Sequence, residues 1–120
     1  MNVTQAFPVF AVRNLDEAMR YYCDVLGFSE AWRFGEPAHR AGVKLDRIEI
    51  HLDAGGLGAT PGHSIVYCHM TGIDEHYREC RRRGARLTRE LAVRPWGVRD
   101  FQVEDPSGNK IGFAELLPPQ

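Results

Sequence analysis

The chain has 120 residues, 43% of them hydrophobic and 26% charged, which is typical of one globular domain rather than a disordered segment. A formal net charge of −1 disfavours a nucleic-acid-binding protein, which needs a basic surface. No apolar run approaches the roughly 20 residues of a membrane-spanning helix, and the N-terminus lacks the features of a signal peptide. The three cysteines are scattered, without a C-x-x-C pair, so we expect reduced thiols and a cytoplasmic protein.

The first predicted elements are a strand and a helix. Residues 6–12 (AFPVFAV) form a short apolar run that is typical of a strand. Asn14 is suited to cap a helix, since Glu17 follows three residues later at the spacing of a capping box. Apolar residues then recur at helical spacing over about 15–26, and Gly27 is suited to end the helix.

Two strand-like pieces follow the first helix, at 28–34 and 43–53. The next segment, 54–62 (AGGLGATPG), is rich in glycine and carries no apolar pattern, so we predict that it is a linker.

The second half of the chain repeats this order of elements. A strand is predicted at 63–70, and a helix begins near residue 72 and ends before Gly84. The sequences LDEAMRYYCDVLG and IDEHYRECRRRG, one in each half, share their pattern. Further strands are predicted at 86–91, 98–104 and 110–116. We therefore expect a single domain over 1–120 with two β-α-β-β-β modules, at about 5–54 and 63–117.

The alternation of side chains along the predicted strands indicates which residues share a sheet face. In 48–53 the even positions are apolar, so we expect them to face a helix. The odd positions face the other way and are Glu49, His51 and Asp53. In the next strand one face is shared by His63, Ile65, Tyr67 and His69. Polar and aromatic side chains on one face are typical of a ligand cleft, although such a face can also simply meet solvent.

Three motifs, together with the paired modules, carry a resemblance to a known superfamily. They are Pro8-Val9 before the first helix, Pro95-Trp96-Gly97 in a late loop, and the turn Asp105–Asn109 (DPSGN). Over about 5–116 the chain resembles the vicinal oxygen chelate superfamily, which contains glyoxalase I, extradiol dioxygenases and the fosfomycin- and bleomycin-resistance proteins. It is most similar to the bleomycin-resistance branch. The resemblance implies an α+β fold of paired βαβββ modules, whose curved mixed sheets form a cleft.

Enzymes of this superfamily hold one divalent metal ion on side chains from the first and last strands of each module. The resemblance places Phe7, Glu49, His63 and Gly112 at these four positions. Only Glu49 and His63 can donate an electron pair, whereas a catalytic metal site needs about three protein ligands. We therefore expect no catalytic residue, no metal site and no cofactor.

The first alternative is a metal-dependent lyase, isomerase or dioxygenase that holds one divalent ion. Its ligands would be Glu49 and His63, or a set outside the family pattern in which His51 and His69 join Glu49. The second alternative is an interaction or regulatory module whose cleft is filled by its own side chains.

Members of the bleomycin-resistance branch are dimers that sequester a flat, cationic drug through aromatic stacking and acidic side chains. The resemblance therefore implies a homodimer that binds a drug-like small molecule without chemistry, and it implies a possible exchange of the first strand between subunits. The expected ligand-binding residues are Trp32, Phe34, Glu49, His51, Asp53, Tyr67, His69, Trp96 and Phe101. Core packing is an equal alternative for Phe34 and Phe101. Because the chain is nearly neutral, the ligand could be bleomycin-like or another aromatic or amphipathic molecule.

Overall fold

The order β-α-β-β-β occurs twice in the computed structural model, which describes residues 1–56 and 60–119. The elements of the first module are β1 (Val9–Ala11), α1 (Leu15–Arg20), β2 (Ser29–Gly35), β3 (Ala38–Leu45) and β4 (Ile48–Asp53). Those of the second module are β5 (Ile65–His69), α2 (Ile73–Arg82), β6 (Arg86–Arg94), β7 (Val98–Glu104) and β8 (Lys110–Leu116). The predicted linker, 54–62, lies partly outside the described residues.

Each module forms one mixed four-stranded sheet. The strand orders are β1-β4-β3-β2 and β5-β8-β7-β6, so the second sheet repeats the arrangement of the first. In each sheet the first and last strands of the module are parallel neighbours, and the other pairs are antiparallel. This architecture confirms the predicted α+β fold of paired βαβββ modules. In this structure β1 pairs with β4 of its own chain.

The first helix begins as predicted but changes its geometry before it ends. The side chain of Asn14 caps it, since Asn14 Oδ1 accepts a hydrogen bond from the backbone N–H of Glu17 at 2.8 Å. After Arg20 the helix continues as a π-helical segment over Tyr21–Val25. This wider turn coincides with two consecutive tyrosines that are both buried.

Several predicted strand boundaries differ from the observed ones. The run 43–53 is not one strand, because a tight turn at Asp46 and Arg47 separates β3 from β4. Asp46 adopts a φ of 49°, a conformation that aspartate tolerates better than most residues, and no glycine marks the turn in the sequence. The second module's first strand begins only at Ile65, so the prediction of a strand from residue 63 was too long.

Both helices pack on the same side of the two sheets and enclose a continuous apolar core. In β4 the core-facing residues are Ile50 and Leu52, which are almost fully buried, as the alternation of the sequence predicts. In the second module Phe101 and Phe113 occupy the corresponding position under α2. Within residues 1–56 and 60–119, the opposite face of each sheet is not covered by a helix, and we refer to these two faces as the first and second open faces.

The turn Asp105–Asn109 joins the two modules. Asp105 and Asn109 are fully buried, and one carboxylate oxygen of Asp105 accepts hydrogen bonds from the Tyr22 hydroxyl at 2.9 Å and from Asn109 Nδ2 at 3.0 Å. Asn109 Nδ2 also donates to the carbonyl oxygen of Ala11 at 2.9 Å. Because buried polar groups are costly unless they are hydrogen-bonded, this network fixes the second module against β1 and the π-helical segment that follows α1.

Within the described part of the chain, the helices are too short and too polar to cross a membrane.

Candidate functional site

The first open face carries a hydrogen-bonded group of side chains that we call the Trp32 cluster: Phe7, Trp32, Glu49 and His51. Trp32 Nε1 donates to Glu49 Oε2 at 3.1 Å, and His51 Nε2 lies 2.8 Å from the same oxygen. The ring of Phe7 stacks on that of His51, with centroids 4.6 Å apart and planes 15° apart. The cluster therefore holds an indole and an imidazole in fixed positions around one carboxylate.

A glycine in the sheet makes room for the indole. Gly42 lies in β3 between Trp32 on β2 and His51 on β4. A Cβ atom at this position would overlap the indole ring of Trp32. Because Gly42 has no side chain, the indole can lie across the sheet and reach Glu49 on the far strand.

The hydrogen bonds around Glu49 determine its charge. Those from Trp32 and His51 favour the ionised carboxylate and hold the pKa of Glu49 below its usual value. The side chains of Glu49 and His51 are only 18% and 15% exposed. The first open face therefore presents a partly buried negative charge at neutral pH.

The second open face carries a similar group, the Trp96 cluster: Tyr67, Arg94, Trp96 and Asp100. The hydroxyl of Tyr67 donates to Asp100 Oδ2 at 2.6 Å and accepts a hydrogen bond from Trp96 Nε1 at 3.3 Å. Arg94 Nε donates to the other oxygen, Asp100 Oδ1, at 2.6 Å. Both oxygens of the carboxylate are therefore occupied, and a hydrogen-bonded chain runs from the indole to the guanidinium.

Gly112 in β8 accommodates the ring of Tyr67. A Cβ atom at Gly112 would lie 2.6 Å from Cδ1 of Tyr67, which is closer than van der Waals contact allows. The parallel register of β5 and β8 places the two residues side by side. Each open face therefore combines a glycine with an aromatic ring that lies over it.

The hydrogen bonds within the Trp96 cluster influence the ionisation of Asp100 and Tyr67. Burial acts to raise the pKa of Asp100, but hydrogen bonds from Tyr67 and Arg94 outweigh it, and the pKa lies below its usual value. Burial, followed by the hydrogen bond to Asp100, raises the pKa of Tyr67. At neutral pH the cluster contains a carboxylate, a guanidinium and an un-ionised phenol.

Comparison with known proteins identifies the family. The family model described as the Glyoxalase/Bleomycin resistance protein/Dioxygenase superfamily matches residues 4–113. The chain belongs to this superfamily. The bleomycin resistance protein of Geobacillus stearothermophilus is 25% identical over 134 residues, with 94% of this chain and 97% of the relative covered.

Solved structures of the superfamily fold resemble the whole chain. A glyoxalase-related enzyme from Clostridium phytofermentans superposes with a TM-score of 0.80 at 19% identity and covers 98% of both chains. TnmS3, an antibiotic binding protein from Streptomyces sp. CB03234, superposes with a TM-score of 0.78 at 20% identity. That alignment covers 97% of this chain and 99% of TnmS3. At these identities the likeness establishes the fold.

The residues at the superfamily's metal positions do not fit a divalent ion. Phe7 places an apolar ring against His51, and the Glu49 oxygen that faces His51 already accepts two hydrogen bonds. At Gly112 the space is taken by the ring of Tyr67. Across residues 1–56 and 60–119, no group of three His, Cys, Asp or Glu side chains is placed to hold a metal.

The structure places His63, which the resemblance assigns to a metal position, outside the first strand of the second module. His63 is exposed and lies before β5. The residue equivalent to Phe7 is Ile65, because each precedes the first residue of its module's helix by eight positions (15 − 7 and 73 − 65).

The other residues expected at the ligand site have different locations. Phe34 is 65% exposed near the end of β2, where its ring meets His39 edge-on. His69 follows Tyr67 along β5, with ring centroids 5.9 Å apart. Asp53 is buried at the end of β4, and its Oδ1 accepts a hydrogen bond from the backbone N–H of Gly55 at 3.0 Å. This hydrogen bond connects Asp53 to the turn that follows β4.

Phe101 does not lie on an open face. It is fully buried under α2, against Tyr77 and Phe113. Side chains alternate along a strand, and Asp100 already points to the open face, so Phe101 must point to the core. Core packing, the alternative for this residue, is what the structure shows.

Sequence reasoning missed Arg94 and Asp100. These residues lie on neighbouring strands and meet Tyr67 only because β7 is next to both β6 and β8. The alternation of polar and apolar residues in 98–104 was the available signal, since it places Asp100 opposite to Phe101 and Val103.

Proposed function

We propose that this protein binds a flat aromatic small molecule on its open faces and sequesters it unchanged, as a cytoplasmic homodimer. The observation that supports this most strongly is the pair of clusters in which an aromatic ring lies over a glycine beside a carboxylate. On the second face Tyr67 and Trp96 are 47% and 58% exposed although hydrogen bonds fix both side chains. Rings that are both rigid and exposed can stack on a ligand with little loss of side-chain entropy.

The relatives support a binding role. The similar proteins include bleomycin resistance proteins, and the structural neighbour TnmS3 is an antibiotic binding protein. Bleomycin and other flat aromatic antibiotics therefore form the first set of compounds to test.

The exposed apolar residues support the homodimer. Large apolar side chains remain exposed on the strands and loops of both modules, namely Val9, Phe34, Ile65, Val93, Trp96 and Leu116. Covering such side chains with a second copy would remove apolar surface from water, which favours association. Sedimentation equilibrium should give twice the chain mass of 13.6 kDa.

Fluorescence titration tests the proposed function, because Trp32 and Trp96 are the only tryptophans in the sequence. Bleomycin and neutral, anionic and cationic naphthalene derivatives should be added to the wild type and to the Trp32→Phe and Trp96→Phe variants. We expect saturable quenching in the wild type that is reduced in Trp96→Phe. The absence of any quenching would contradict the proposal and would favour a cleft filled by its own side chains.

Metal analysis tests the enzymatic alternative. Protein purified without chelator should contain no stoichiometric divalent ion. A tightly held ion that is lost in Glu49→Ala, with the fold retained, would instead support a metal-dependent enzyme.

A further inference from the structure

The second open face carries an arginine, Arg89, that forms no ion pair with a carboxylate of the described residues. The guanidinium carbon of Arg89, on β6, lies 5.9 Å from the centroid of the Trp96 ring. Of the ion pairs found within residues 1–56 and 60–119, none involves Arg89. Arg89 is exposed, so its hydrogen-bond donors are available to a bound molecule.

The carboxylate of the Trp96 cluster is already paired with groups other than Arg89. Asp100 is the carboxylate of the Trp96 cluster, and its two oxygens are occupied by Tyr67 and Arg94. Arg94 also donates to the backbone carbonyl oxygen of Glu90 at 2.7 Å, which holds its guanidinium in place. In the Trp96 cluster and the adjacent Arg89, two guanidinium groups therefore accompany one carboxylate, and a ligand on Trp96 would lie beside this local positive charge.

Arg89 is close enough for its charge to act on two members of the Trp96 cluster, Tyr67 and Asp100. Besides burial and the hydrogen bonds of the cluster, the charge of Arg89 acts on the pKa of both Tyr67 and Asp100, and it lowers each. Arg89 therefore acts at the same surface as the two exposed rings.

We propose that the second open face selects aromatic molecules that carry an acidic group, with Arg89 as the residue that binds the anion. This inference rests on the proposed ligand-binding function and narrows its ligand class. The aromatic part would stack against Trp96 and Tyr67. A carboxylate, phenolate or sulfonate at the edge of the ring would accept hydrogen bonds from the guanidinium, whose planar geometry suits two parallel hydrogen bonds to a carboxylate. A cationic ligand would be repelled at the same position.

Three probes with one ring system and different charges test the inference: 2-naphthoate, 2-naphthalenemethanol and 2-naphthylmethylammonium. Their dissociation constants should be measured by isothermal titration calorimetry at low ionic strength. We expect the wild type to bind the anion about tenfold more tightly than the cation, a modest factor because Arg89 is exposed and its charge is screened. In Arg89→Gln the preference should disappear, while the affinity for the neutral alcohol should stay within twofold.

Arg81→Gln is the matched control. Arg81 lies over the Tyr77 ring at 5.5 Å, so this change removes the same charge and the same type of contact, but from α2 rather than from an open face. The control should retain the preference for the anion.

Equal affinity of the wild type for the anion and the cation would overturn the inference and leave the proposed function standing. Loss of the preference in both arginine variants would also overturn it, because net charge alone would then explain the effect. If none of the three probes binds the wild type, the proposed function itself fails.

Discussion

The two open faces use the same parts in different ways. On the first face the indole of Trp32 donates directly to the carboxylate of Glu49, and the ring is partly buried. On the second face the indole of Trp96 reaches Asp100 only through the hydroxyl of Tyr67 and is 58% exposed. The indole of Trp32 therefore contributes mainly to the structure of the first face, whereas most of the Trp96 indole is accessible to a ligand.

The electrostatic environments of the two carboxylates also differ. Glu49 is paired with the imidazole of His51, whereas Asp100 is paired with the guanidinium of Arg94, which is always charged. Both β-α-β-β-β modules therefore contain an aromatic ring that lies over a glycine next to a carboxylate, but the charged groups around the carboxylate differ.

The largest expected effect comes from filling the glycine positions. Gly112→Ala should place a methyl group against the Tyr67 ring and lower the free energy of unfolding by roughly 1–3 kcal/mol, the usual cost of overpacking. Gly42→Ala should act similarly through Trp32 on the first face. Urea denaturation measures both changes.

A double variant shows whether the ring is the cause. In the Tyr67→Ala background the methyl group of Gly112→Ala has no ring to displace, so the substitution should cost much less. An equal cost in both backgrounds would contradict the proposed relation between Gly112 and Tyr67.

Substitution of Trp96 should affect ligand affinity more than stability, whereas substitution of Trp32 should affect stability more than ligand affinity. Trp96→Ala should weaken binding of an aromatic ligand by about tenfold, the loss of one stacked ring and its contact area. It should change stability little because Trp96 is exposed. Trp32→Ala should lower stability more, since Glu49 loses a hydrogen bond, and should weaken binding less. Calorimetric titration and thermal unfolding of both variants provide the measurements; the reverse order would contradict the assignment of roles.

The smallest expected effect is the pH dependence of the Trp96 cluster. The pKa of Asp100 is lower in the folded protein than its ordinary value of 3.8. Its ionised form therefore stabilises the fold above that ordinary value, and this contribution is lost as the pH falls through the lower, folded pKa. Asp100→Asn should be less stable than the wild type at pH 7, and the difference should shrink below about pH 4. A difference that does not depend on pH would show that the charge of Asp100 contributes nothing.

The sequence predicted the architecture well because its signals are local. The alternation in 48–53 correctly separated the buried Ile50 and Leu52 from Glu49 and His51. The capping spacing located the start of α1, and the repeated pattern predicted two modules. These features depend on residues within a few positions of one another.

The features that were missed depend on contacts across strands. The relation between Gly112 and Tyr67 requires the register of β5 with β8, which no local pattern gives. The same is true of the ion pair between Arg94 and Asp100. The predicted strand at 63–70 included His63, although the strand begins two residues later, at Ile65.

An aromatic ligand that stacks on the open faces should be detected directly by the two indole N–H groups. A ¹H–¹⁵N correlation spectrum of the labelled protein should show one indole signal each for Trp32 and Trp96. On titration with 2-naphthoate, we expect the Trp96 signal to shift in a saturable manner and by more than the Trp32 signal. If neither indole signal moves while the ligand is in large excess, the account of these faces as a ligand site is wrong.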